Sequence, residues 1–125
     1  MKVDFLKKRA EQFLKNAGNL FKKGVYALAA FNFEQALQLY LKYYLFLKLK
    51  DFPRTHSIRI LLIEIGKVYT KELEIRKLIE ENISLIADLE QVYITSRYLP
   101  AEFNKNQIEK MKNFVKDTIK FLEKL

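Results

Sequence analysis

From Tyr26 to Leu49 apolar side chains fall on nearly every side of the helix that this run forms. Such a helix cannot rest on a surface with one face in water. It has to be wrapped by other helices, and it would be roughly 35 Å long at 1.5 Å per residue. Pro53 stops it, because proline lacks an amide hydrogen and disfavours the helical conformation of the residue before it. Everything else in the chain therefore has to supply the wrapping.

The flanking segments have the right pattern for that task. Leu6, Ala10, Phe13, Ala17, Leu20 and Phe21 form one apolar stripe with lysines opposite, which predicts an amphipathic first helix ending near Gly24. After the Phe-Pro-Arg-Thr-His turn, Thr55 or Ser57 is placed to cap a shorter third helix reaching about Tyr69. Thr70 is placed to cap a fourth, whose Ile75, Leu78, Ile79, Ile83, Ile86, Leu89 and Tyr93 make one stripe up to about Arg97, where Leu99-Pro100 breaks it. Asn104 followed by Gln107 is a relative of the capping box, with Phe103 and Ile108 placed as a hydrophobic staple. Ile108, Met111, Val115, Ile119 and Leu122 then face inward from a last helix. No segment alternates as a strand does. The expectation is an all-α, up-and-down-type bundle of about five helices around a long second one, with residues 1–125 forming a single domain.

Composition narrows the function by exclusion. Half of the 125 residues are apolar, enough for a core without metal or disulfide support. There is no cysteine and only one histidine, so thiolate chemistry, disulfides, Cys-based zinc and His-rich metal sites are excluded. The N-terminus lacks the h-region of a signal peptide, and no run approaches the roughly 20 apolar residues of a membrane span. A cytoplasmic location away from the membrane is expected. The net charge of +8 attracts phosphates or acidic partners, although lysine exceeds arginine and the aromatics sit mostly at core spacing. That is the pattern of solvated faces rather than of a dedicated nucleic-acid stripe.

Two family likenesses compete. AGNLFKKGVYALAAFNFEQALQL resembles a single tetratricopeptide repeat, but the next 34-residue step lands in HSIRILLIEIGKVY, which repeats none of it. Repeat arrays need about three copies to bury their core, so an array is not expected. The Gly24-x-Tyr26 lead-in, Phe31, the Gln35-Ala36 pair with Lys42 downstream, the Thr55-His56 turn with Leu61-Leu62 after it, and the Ser-Arg-Tyr-x-Pro segment at 96–100 together resemble the HEPN family. That resemblance implies a bundle of four or five helices, usually a homodimer, often working beside a minimal nucleotidyltransferase. It also implies a choice between ribonuclease members, such as toxins, and non-catalytic, nucleotide-associated members. The ribonuclease signature is an arginine followed about four to six residues later by a histidine on one helix. Here Arg54 precedes His56 by two positions in a turn, and Arg97 has no histidine after it.

A non-catalytic, dimeric protein that binds a nucleotide, RNA or a nucleotidyltransferase is therefore expected, with a ribonuclease or a plain helical adaptor as the alternatives. No cofactor or metal is expected, since the carboxylates show no metal spacing and the three glycines form no phosphate loop. Arg54, His56, Arg59 and Arg97 are the candidates for a phosphate site at one end of the bundle, with Tyr98 to stack on a base. His56 has two readings, a ligand contact or a turn histidine bonded to backbone at the start of the third helix. Gln35 and Lys42 are read as boundary polar residues of the central helix, and Tyr40, Tyr43 and Tyr44 as core or dimer interface. Glu80, Glu81, Asp88 and Glu90 are read as a solvated face.

Overall fold

The second helix, α2 (Tyr26–Leu49), touches α1 (Val3–Lys22), α3 (Ile58–Val68), α5 (Ile83–Tyr98) and α6 (Lys105–Glu123), and this wrapping is what its all-round apolar character requires. Short α4 (Glu72–Glu81) packs on α3 and α5 instead. The computed structural model describes residues 3–98 and 102–125, with the side chains of Val3, Ser96, Arg97 and Tyr98 outside that description. All regular structure among the described residues is helical, as expected. The Leu99-Pro100 break lies outside them.

Local chemistry explains most of the boundaries. At the end of α1, Gly24 adopts φ 77°, Val25 N–H donates to Leu20 O at 2.9 Å and Gly24 N–H to Phe21 O at 3.1 Å. This is the paired closure of a Schellman turn, which needs a left-handed residue where Gly24 stands. In the helix pair that this turn joins, α1 buries Ala10 and Ala17 fully, and Ala29, Ala30 and Ala36 of α2 are equally buried. Their small side chains suit a close crossing of the two backbones. Of the two residues placed to cap α3, Ser57 does so by accepting from Ile60 N–H, while Thr55 Oγ1 accepts from Ser57 N–H in the turn before it. The capping box of α6 is complete: Asn104 Oδ1 accepts from Gln107 N–H at 2.9 Å and Gln107 Oε1 from Asn104 N–H at 2.8 Å. Ile108, the far half of the staple, is fully buried.

Two expectations need correction. The fourth predicted helix is two helices, divided at Asn82 (φ −133°, ψ 29°). Its side-chain amide donates to Leu78 O at 2.8 Å and its backbone N–H to Ile79 O at 3.1 Å, closing α4, while its own carbonyl accepts from Ile86 N–H to open α5. Asparagine competes for backbone partners in this way wherever a helix can be interrupted. Thr70, expected to cap α4, instead takes φ 58° in the turn before it, and Lys71 occupies the cap position without a side-chain bond. A β-branched residue in the left-handed region is strained. Thr70→Gly is expected to raise unfolding stability by about 0.5–1 kcal/mol, read as a higher urea midpoint at unchanged slope.

Candidate functional site

The chain that leaves α2 does not move away from it. Lys50 takes a left-handed cap at φ 61°, and the segment after it doubles back along the helix. Phe52 lies 6.4 Å from Phe46 by ring centroids and 5.5 Å from Lys42 Nζ, and His56 Nδ1 reaches Gln38 Oε1 at 3.4 Å. From Phe46 to Gln38 is about two helical turns, so this loop carries His56 to the middle of the bundle.

There it meets a line of polar groups on the otherwise apolar helix. Glu34 and Gln38 are buried, with Gln35 and Lys42 half-buried beside them. Gln35 Nε2 donates to Glu34 Oε1 at 2.8 Å and Gln38 Nε2 to Glu34 Oε2 at 2.5 Å, while Lys42 Nζ donates to Gln38 Oε1 at 3.3 Å. Burial raises the Glu34 carboxyl to about 6, more than the two amide bonds and Lys42 lower it, and Glu90 adds to the rise. Burial and the neighbouring Arg54 push the Lys42 ammonium down.

The outer wall comes from α5. Tyr93 stacks on His56 with centroids 4.3 Å apart and planes 23° off parallel, and the Phe31 ring of α2 stands 6.5 Å from Tyr93. One turn earlier Glu90 accepts from Ser57 Oγ at 2.5 Å and from Arg59 N–H at 3.2 Å. Glu90 thus holds the start of α3 and is no part of a solvated face. Arg54 Cζ sits 4.5 Å from the Phe52 ring that Lys42 also covers, and its exposed contact with Asp51 is a loose 3.6 Å.

Of the residues singled out from sequence, the structure brings together Lys42, Arg54 and His56, with Gln35 bound to the same carboxylate. His56 meets the side chains of Gln38 and Tyr93 in place of backbone at the start of α3. Arg59 lines a separate apolar groove of about 540 Å³ between α3, α4 and α5, floored by Ile63, Ile75, Ile79, Ile83 and Ile86 and bounded by Glu90. Arg97 lies one turn beyond Tyr93 on α5, but its side chain and that of Tyr98 are outside the described residues. Tyr40 is buried near Glu11 and Glu123, on the α1 and α6 side of α2, and Tyr44 packs against the core. Glu34, Gln38, Glu90 and Tyr93 were not anticipated. The one available signal was the four-residue spacing of Glu34, Gln38 and Lys42, which lines them up on one face. Among the described residues no cluster of His, Asp or Glu is arranged to hold a metal, and no helix is long and apolar enough to cross a membrane.

The comparisons with known proteins agree with the sequence resemblance. The HEPN domain family model matches residues 3–125. The chain belongs to the HEPN family. A structure described as the crystal structure of TT1696 from Thermus thermophilus superposes with a TM-score of 0.76 over 98% of this chain and 97% of that one. At 22% identity that likeness shows a shared fold. No curated protein matches the chain.

The Glu34 geometry has a consequence for stability. A carboxyl whose pKa rises from 4.5 unfolded to about 6 folded binds its proton more tightly in the native state. Its contribution to stability is fully present below pH 4.5 and is lost as the pH rises through 6. Relative to Glu34→Gln, the natural chain is expected to lose about 2 kcal/mol of unfolding free energy between pH 4.5 and pH 7.5, measured by urea titration at a series of pH values.

Proposed function

We propose that this HEPN protein is non-catalytic and dimeric, and that it binds a nucleotide, or the nucleotide units of an RNA, in association with a nucleotidyltransferase partner. One observation carries the reading: Lys42 and Arg54 are held over the same Phe52 ring next to an exposed His56 stacked on Tyr93. Two cations so close repel, and this repulsion adds to the burial that chiefly lowers the Lys42 affinity for its proton. A phosphate placed between them relieves that repulsion and gains two charge-assisted bonds. The stacked rings beside it offer an aromatic edge on which a base can continue the stack. Absence of the arginine-histidine signature argues against a ribonuclease, since losing general acid or base chemistry removes about 10²- to 10⁴-fold in rate.

The buried Glu34–Gln38 chain behind His56 favours one second reading, a ribonuclease with a departed motif. Metal-independent cleavage of a single-stranded RNA that disappears in His56→Ala would establish that reading and overturn the first. An absence of any thermal shift with ATP, AMP or the RNA would instead leave a helical adaptor.

If the proposal holds, Lys42→Ala combined with Arg54→Ala weakens ATP binding at least tenfold by calorimetry. The same pair lowers the slope of log affinity against log salt for single-stranded RNA by about 0.7, as expected for one phosphate no longer neutralised. The dimer has its own support. Leu28 on α2 and Ile83 and Ile94 on α5 are about half exposed, and a dimer formed through these two helices would cover them. Sedimentation at micromolar concentration is expected to give about twice the 14.9 kDa chain mass; Ile94→Glu is expected to return the monomer.

A further inference from the structure

Gln38 stands between a group that only accepts hydrogen bonds and one that only donates them. An ionised Glu34 carboxylate has no hydrogen to give, so the Gln38 nitrogen faces it, at 2.5 Å. The Lys42 ammonium has no lone pair, so the Gln38 oxygen faces it, at 3.3 Å. The two ends of an amide are alike in shape, and here chemistry at both ends assigns them the same way. Gln35 occupies the other oxygen of Glu34 with a second amide hydrogen, so each carboxylate oxygen has one amide donor. His56 Nδ1 lies 3.4 Å from the same Gln38 oxygen. An amide oxygen only accepts, so Nδ1 has to carry the hydrogen. In a neutral imidazole that leaves the lone pair on Nε2.

We propose that Glu34 and Gln38 are positioning residues for His56, holding its neutral ring in the Nδ1–H tautomer against Tyr93 with the Nε2 lone pair turned away from α2. Among the described residues, three charged groups act on this chain. Lys42 on the same helix and Glu90 from α5 act on Glu34, and Arg54 from the returning loop acts on Lys42. Of these, Lys42 reinforces the Gln38 orientation directly.

The meaning of this arrangement rests on the nucleotide-binding reading. In its neutral form, His56 with an outward acceptor selects a ligand that offers an O–H or N–H at that point, such as a sugar hydroxyl or a base amino group. It disfavours a phosphate oxygen there and leaves the phosphate to Lys42 and Arg54. The site would therefore recognise a nucleoside portion and a phosphate portion by different residues.

The test needs no ligand, so its outcome is separate from that of any binding experiment. His56 is the single histidine of the chain, and long-range nitrogen–proton correlations on uniformly ¹⁵N-labelled protein at pH 8 report its two ring nitrogens without overlap. The natural chain is expected to show a protonated Nδ1 and a bare Nε2. Gln38→Met removes the oxygen, and Lys42→Met removes the group that holds it outward. Both are expected to shift the population toward Nε2–H, the first until that form is the majority. A natural chain already in the Nε2–H form, or a Gln38→Met ring still in the Nδ1–H form, overturns the proposal. Should Gln38→Met not fold, the natural chain and Lys42→Met decide it alone. A correct tautomer with no nucleotide bound would leave the positioning role standing and remove its proposed purpose.

Discussion

A carboxylate enclosed in the central helix of an apolar bundle must be answered by hydrogen bonds from its own surroundings, and Glu34 receives them from Gln35 and Gln38. That requirement organises the rest of the site. Because Gln38 turns its nitrogen inward, its oxygen is left facing outward, and this oxygen gives Lys42 and His56 something to bind. Lys42 and Phe52 then receive Arg54, and His56 receives Tyr93. An apolar residue at position 34 would leave Lys42 alone to keep the Gln38 oxygen turned outward. The neighbouring apolar residues of α2 keep water out, which makes the answering bonds necessary.

Part of this was legible from sequence, and the dividing line follows the range of the interactions. The capping box at Asn104 and Gln107, the cap at Ser57 and the glycine turn at Gly24 are decided within a few residues, so their signatures are local. The central place of α2 was legible because a helix apolar on all sides has no other stable position. Asn82 escaped notice because the stripe from Ile75 to Tyr93 keeps its period across the break. The period reports which face is buried; it carries no information on whether the backbone is continuous there. Thr70 was misread since threonine is a common cap, and the left-handed turn it occupies is not encoded by its side chain.

The site was the less legible part. Lys42, Arg54 and His56 stood out as polar or charged residues, yet their meeting depends on a loop that doubles back along α2, and Gln38 and His56 are 18 positions apart. Glu34 was passed over because a glutamate on a helix is ordinarily solvated. Tyr93 looked like one more core residue in the stripe of α5. It is half-buried, with one face given to His56.

The doubling back of the segment after Lys50 also divides the site by the order in which it can assemble. Everything from Glu34 to Ser57 lies within one short stretch of chain, and closing a loop of that length costs little entropy compared with joining distant segments. The carboxylate, the amide relay and the two cations can thus come together as soon as α2 and its returning loop have formed. Glu90 lies 33 residues beyond Ser57, with Tyr93 one turn further along the same helix, and both arrive only when α5 docks. Until then His56 has its polar partner without its aromatic one. The meeting of His56 with Tyr93 and the closure of this side of the core thus depend on the same docking of α5.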